Sequence, residues 1–129
     1  MTTAVRVLLV EDNEVYRSTL ELLLDGREGL EIVGSVADGR DAADAAERFA
    51  PDVVLMDFRL PGLDGAEATA AIRARTPHAA ILCLTAEATD ADRAAVLAAG
   101  AAGLIEKSSS IDEVVQAIHS ANERGDSNP

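Results

Sequence analysis

The chain has 129 residues, 48% hydrophobic and 26% charged, a balance that suits one domain able to bury a core without disulfides or structural metal and excludes disorder of its body. Its 23 acidic residues against 11 basic ones give a formal net charge of -12; no chain-wide positive field exists to hold a polyanion, so direct nucleic-acid binding is not expected. No apolar run approaches the roughly 18 residues of a membrane span, the N-terminus carries no basic segment leading into a long apolar stretch, and the one cysteine, Cys83, can close no internal disulfide; the expectation is a cytoplasmic protein with no membrane partner.

Five short apolar runs alternate with five amphipathic or alanine-rich segments, the pattern of a parallel sheet with crossover helices. Val5 to Val10 is nearly continuous in Val and Leu, as in a strand covered on both faces. Asn13 is the expected N-cap of the first helix, whose Tyr16, Leu20, Leu23 and Leu24 make one apolar stripe and which Gly26 ends. Ile32 to Val36 is the second strand; Asp38 then caps a second helix with Ala42, Ala45, Ala46 and Phe49 at helical spacing and Pro51 closing the segment. The third strand, Val53 to Met56, precedes a helix from about Ala66 to Arg75 that stops near Pro77. The fourth, Ala80 to Leu84, precedes a helix from about Ala91 to Ala99, with Gly100 suited to the left-handed position after it. Gly103 to Ile105 is the fifth strand, and Ser110 with Glu113 forms an S-x-x-E capping box ahead of a stripe of Ile111, Val114, Val115 and Ile118. The domain is expected to span 1–124, with 125–129 as a disordered tail.

In an open doubly wound sheet, ligands bind outside the carboxyl ends of the strands, near the point where strand order reverses. Strand one runs into Glu11-Asp12, strand three into Asp57, strand four into Thr85 and strand five into Glu106-Lys107; strand two ends with nothing comparable. A 2-1-3-4-5 order would bring those tips to one edge. Three carboxylates held together repel one another unless a cation neutralises them, and hard oxygen ligands with room for water and a phosphate oxygen suit magnesium. The Thr85 hydroxyl and the Lys107 ammonium are then placed to bind anionic oxygens across from the metal. Any one of these acids alone reads as a helix cap or a solvated charge, and Thr85 alone as an ordinary strand residue. Lys107 stands out because it is the single lysine beside ten arginines.

Leu9-Val10-Glu11-Asp12-Asn13, Asp57-Phe58-Arg59-Leu60-Pro61-Gly62-Leu63-Asp64-Gly65, Leu84-Thr85-Ala86 and Gly103-Leu104-Ile105-Glu106-Lys107 together resemble a response-regulator receiver domain of two-component signalling. The resemblance covers roughly Val5 to His119, and Glu31-Ile32-Val33-Gly34 with the serines after Lys107 is similar to receivers of the LuxR/NarL type. It implies an α/β fold: a flavodoxin-like, doubly wound, five-stranded parallel sheet of order 2-1-3-4-5 with five helices. It further implies that Asp57 accepts a phosphoryl group from a sensor histidine kinase, that Asp12 and Asp57 ligate Mg2+ directly, that Glu11 helps hold the ion, and that the backbone carbonyl of Arg59 completes the protein ligands. Thr85 and Lys107 would each take a phosphoryl oxygen. Such a chain catalyses its own phosphorylation and dephosphorylation and is not otherwise an enzyme; positioning and electrostatics suffice for the transfer. The side chains of Arg59 and Glu87 would tune the lifetime of the phosphorylated form, with an ion pair between them as a gate across the entrance. The implied output is transcription, through a DNA-binding domain absent from this chain, with a homodimer through the face of the fourth helix, fifth strand and fifth helix.

The pattern departs from the family at three places. Leu104 stands at the switch position, three residues before the lysine, where Tyr or Phe is usual; Ser108 replaces the frequent proline after Lys107; and Glu106 is placed to shield the lysine's charge. The alternative, a stand-alone or atypical pseudo-receiver acting as a protein-interaction module, ordinarily shows loss of an acid or of the lysine, and none is lost. A haloacid-dehalogenase-type hydrolase wants a D-x-D pair where Asp57-Phe58-Arg59 stands, and one Tyr, two Phe and no Trp leave little to stack on a flavin. His78 and His119 fall outside the constellation.

Overall fold

The structure, a computed structural model, describes residues 4–60 and 63–127, the last four by their backbone alone. Strands β1 (Val5–Val10), β2 (Leu30–Val36), β3 (Val53–Asp57), β4 (Ala80–Thr85) and β5 (Gly103–Glu106) alternate with helices α1 (Glu14–Leu24), α2 (Gly39–Phe49), α3 (Gly65–Arg75), α4 (Asp90–Ala98) and α5 (Ile111–Ser127). All strand pairs are parallel and the order is β2-β1-β3-β4-β5, as the alternation and the resemblance imply.

The period-two geometry of a strand divides each apolar run between two cores. Leu8, Val10, Val54, Met56, Ile81 and Cys83 pack on one face with Ala42 and Ala46 of α2, Ala68 and Ile72 of α3, and Val96 of α4. Val7, Leu9, Val53, Leu55, Leu82 and Leu84 pack on the other with Leu20 and Leu24 of α1 and Val114, Val115 and Ile118 of α5. Full burial of each Val or Leu contributes about 1.5–3 kcal/mol, so the central strands β1, β3 and β4 hold both helical layers to the sheet.

Three strands reach one residue beyond their apolar runs, and each added residue is polar: Asp57, Thr85 and Glu106. The ladder carries them, since Asp57 pairs with Leu84 and Thr85 with Glu106 across neighbouring strands. The helix caps fall where expected: Asn13 accepts from the Tyr16 N–H at 2.8 Å, Asp38 from Arg40 at 2.8 Å, and Ser110 and Glu113 bond reciprocally at 3.1 and 3.0 Å. An additional capping box joins Asp64 and Glu67 and starts α3 at Gly65. Gly100 has a φ of 107° and closes α4.

Two expectations are corrected. Leu23 is 44% exposed: Leu20 and Leu24, about 40° apart around the helix, are buried, while Leu23 falls at the other edge of the stripe, about 100° from Leu24 and beside the half-buried Tyr16. Helix α5 runs to Ser127, so residues 125–127 of the expected tail extend it, because backbone hydrogen bonding in an already nucleated helix propagates past Arg124; Asn128 and Pro129 lie outside the described residues.

Candidate functional site

The carboxyl ends of β1, β3, β4 and β5 form one pocket edge. Glu11 continues the ladder one residue past β1, its N–H donating to the Val36 carbonyl at 3.0 Å, and this turns its side chain inward to 2% exposure. One Glu11 carboxylate oxygen, Oε2, accepts from the Asn13 N–H at 2.9 Å; the other, Oε1, accepts from Lys107 Nζ at 2.9 Å. The Glu11 carbonyl accepts from Arg17 at 2.8 Å. Asp57, 6% exposed, accepts from the Arg59 N–H at Oδ1 and from Lys107 Nζ at Oδ2, both at 3.1 Å. Asp12 is exposed at the mouth.

One oxygen from each of Glu11, Asp12 and Asp57 lies within 4.8 Å of the others. Magnesium holds oxygens at about 2.0–2.1 Å, so opposed ligands stand about 4.2 Å apart, and this donor set comes within direct or water-mediated reach of one ion. The donors are all hard oxygens and Asp12 opens to water, which suits a cation that keeps part of its hydration shell. Three carboxylates face a single ammonium, which Glu11 and Asp57 share, leaving the trio two negative charges in excess of it. The residues fit a divalent cation.

Lys107 reaches this pocket because the β4–β5 ladder continues past β5: its N–H donates to the Thr85 carbonyl at 2.7 Å. Burial by itself would lower the ammonium's pKa, but the hydrogen bonds and charges of Glu11 and Asp57 outweigh it and hold the group above the ordinary lysine value. Nζ also stands 4.6 Å from the centroid of the Tyr16 ring. The Tyr16 phenol is raised, by burial first and then by the negative charges of Glu11 and Asp57, with Lys107 opposing.

Thr85 is buried at the end of β4, and its hydroxyl donates to the Glu87 carbonyl at 3.3 Å; no hydrogen bond joins it to Asp57. Leu104 is buried among the residues packed beneath α4, and its carbonyl accepts from Arg93 at 3.0 Å. The expected Arg59–Glu87 ion pair is not formed. Both side chains are exposed, and the Arg59 guanidinium lies 5.9 Å over the Phe58 ring; an exposed pair gains only about 0–1 kcal/mol, too little to impose a bridge. Nor does Glu106 shield Lys107, for its carboxylate accepts from the Ala88 N–H at 3.2 Å in the loop ahead of α4. His119 bonds the Glu28 carbonyl at 2.9 Å, away from the pocket.

Three residues of the pocket wall escaped the sequence reading as site members: Asn13, Tyr16 and Arg17. Asn13 was legible as a cap and Tyr16 as the head of a stripe; the signal that connects them to the site is their place in the first turn after Glu11-Asp12, where a helix start must face the strand ends.

The model of the response regulator receiver domain matches residues 7–119, and the chain belongs to that family. It is 40% identical over 116 residues to the response regulator UvrY of Escherichia coli K12, covering 90% of this chain and 53% of that protein. It is 36% identical over 114 residues to the response regulator GacA of Pseudomonas aeruginosa, covering 88% and 53%; the chain therefore spans about half the length of these curated relatives. A two-component response regulator of the LuxR family from Aurantimonas sp. SI85-9A1 superposes with a TM-score of 0.89 at 36% identity, over 95% of this chain and 87% of that one. The resemblance to receivers, and to the LuxR/NarL type among them, is borne out. Receivers of this family are phosphorylated by sensor histidine kinases and bind Mg2+ at an acidic pocket. Among the described residues no helix is long and apolar enough to cross a membrane.

Proposed function

We propose that Asp57 is the phosphoacceptor of this receiver and that Glu11, Asp12, Asp57 and the Arg59 carbonyl hold the magnesium ion it works with. The observation that carries the reading is Lys107 Nζ, at 2.9 Å from Glu11 and 3.1 Å from Asp57, beside three carboxylates close enough to share an ion. Magnesium, when bound, neutralises charge on the phosphoryl oxygens.

The chain's own residues do the rest. The Arg59 N–H and the lysine orient the Asp57 carboxylate, and Oδ2 is the oxygen the lysine holds. A carboxylate oxygen of Asp57 attacks phosphorus; the new P–O bond forms as the P–N bond to the donor's histidine breaks, and the imidazole leaves with its proton. Transfer passes through a charge-spread transition state, so placement and electrostatics suffice without a separate base. Lys107 pairs with one phosphoryl oxygen. The Thr85 hydroxyl, now spent on a weak 3.3 Å bond to Glu87, exchanges that bond for a second phosphoryl oxygen. Autodephosphorylation uses the same groups with water as the nucleophile, and Arg59 and Glu87 each set how freely that water enters. The chain is in this sense a self-modifying signalling domain and not an enzyme for a separate substrate.

Exchange of the Thr85 bond draws in the β4–α4 loop and biases the α4–β5–α5 face, where an open groove of about 310 Å³ is lined by Arg93, Leu97, Gly103 and Ala117 among others. That face is the proposed output and homodimer surface, and control of transcription through a further DNA-binding domain is the proposed output. Such a role places the protein in the cytoplasm. Exposure to acetyl phosphate with intact-mass detection tests the acceptor: wild type gains one phosphoryl mass with Mg2+ and none without it, and Asp57→Asn gains none. A phosphorylated Asp57→Asn would move the acceptor elsewhere.

A further inference from the structure

Lys107 is the chain's only lysine and Tyr16 its only tyrosine, and the two meet at 4.6 Å, ammonium over ring. We propose that Tyr16 is a positioning residue of the phosphoryl site, whose ring face holds the Lys107 ammonium where it can reach Asp57. The proposal rests on the phosphoacceptor reading above and adds a residue to it.

A lysine carries its charge on a flexible four-carbon stem with rotatable donors, and it keeps one geometry only where its surroundings restrict it. Here two directions from Nζ are taken by Glu11 Oε1 and Asp57 Oδ2. Both are carboxylates that a cation would compete for and that phosphoryl oxygens would compete with for the ammonium, so both contacts change when the site is occupied. The ring is different: its π-face offers nothing to the oxygens of a phosphoryl group and cannot replace the oxygen ligands and water that a hard cation keeps, yet it attracts the ammonium through its quadrupole. Its place is set independently of the lysine. Asn13 accepts from the Tyr16 N–H at 2.8 Å while donating its own N–H to Glu11 Oε2 at 2.9 Å, so one residue fixes both the start of α1 and the carboxylate opposite the ring. Tyr16 is part-buried, with its ring 4.6 Å from the Lys107 ammonium, and the charges of Lys107, Glu11 and Asp57 all act on its phenol.

With one lysine and one tyrosine, proton NMR reads the contact without ambiguity. In the metal-free protein the Lys107 ε-methylene protons are expected upfield of the ordinary lysine position, shielded by the ring; they return to it in Tyr16→Leu and stay upfield in Tyr16→Phe. With acetyl phosphate and Mg2+, Tyr16→Leu is expected to be phosphorylated about 2- to 30-fold more slowly, the span that cation–π energies convert to, and Tyr16→Phe recovers most of the lost rate. Unshifted ε-methylene protons in the wild type, a folded Tyr16→Leu as fast as the wild type, or a Tyr16→Phe as slow as Tyr16→Leu would each overturn the proposal. If the wild type itself takes no phosphoryl group, the phosphoacceptor reading falls and the proposal with it, an outcome told apart from the others because the ring shift is measured separately.

Discussion

At the scale of single residues, each oxygen of the two buried carboxylates at the site has a donor. Glu11 spends one on Asn13 and one on Lys107, and Asp57 one on Arg59 and one on Lys107, which is the condition under which a carboxylate can be buried at all. Arg59 and Glu87 have no such relation to each other. Their effects on the lifetime of the phosphorylated protein are therefore expected to be independent: the logarithms of the decay-rate changes in Arg59→Ala and Glu87→Ala should add in the double variant to within about 0.5 kcal/mol. A larger coupling would restore the ion-pair gate that the sequence suggested. Asp12, Asp57 and Lys107 were legible from sequence because strand ends are where such folds keep their chemistry. The direction of Glu106 was not, because which neighbour a surface carboxylate chooses depends on a loop folding beside it.

At the scale of elements, the segment after β3 is held by its backbone. The Gly65 N–H donates to the Phe58 carbonyl at 2.7 Å, and a Cβ on Gly65 would come within 2.8 Å of the Phe58 Cα. Backbone atoms cannot step aside as a side-chain tip can, so Gly65→Ala is expected to cost about 1–3 kcal/mol in urea unfolding, and to disturb the segment immediately following Asp57. A loss below about 0.5 kcal/mol would show that α3 can shift without it. The glycine was visible in the sequence only as one member of the stretch from Asp57 to Gly65; its reason is a close approach between two backbones that no local pattern announces.

At the scale of the molecule, the two cores join helices that cannot touch one another through the sheet, and Cys83 lies in the layer beneath α2, α3 and α4. Burial pushes its thiol from the ordinary 9.0 up to about 11, with the Thr69 contact opposing and the charge of Asp57 adding. The unfolded chain ionises this thiol near pH 9 while the folded chain still holds the proton. The stabilisation is therefore complete below pH 9 and is lost as the pH rises to about 11; Lys107, held above its ordinary value, acts in the same direction. Unfolding free energy is expected to fall across that window by about 2–3 kcal/mol on account of the thiol, and to fall less in Cys83→Ala measured against its own value at pH 7. Equal slopes in the two proteins would remove the thiol as the cause.

The sequence by itself determined the alternation of strands and helices, the caps at Asn13, Asp38 and Ser110, and the acids, hydroxyl and lysine that meet at one edge. These follow from local periodicity, capping chemistry and the rule that puts such residues at strand ends. Only the tertiary structure decided that Lys107 bridges Glu11 and Asp57, that Tyr16 lies against it, and that Arg59 and Glu87 stand apart. Each of these depends on the distance between side chains far apart in the chain, and that distance is set by how helices settle on the sheet, a quantity no stretch of sequence contains.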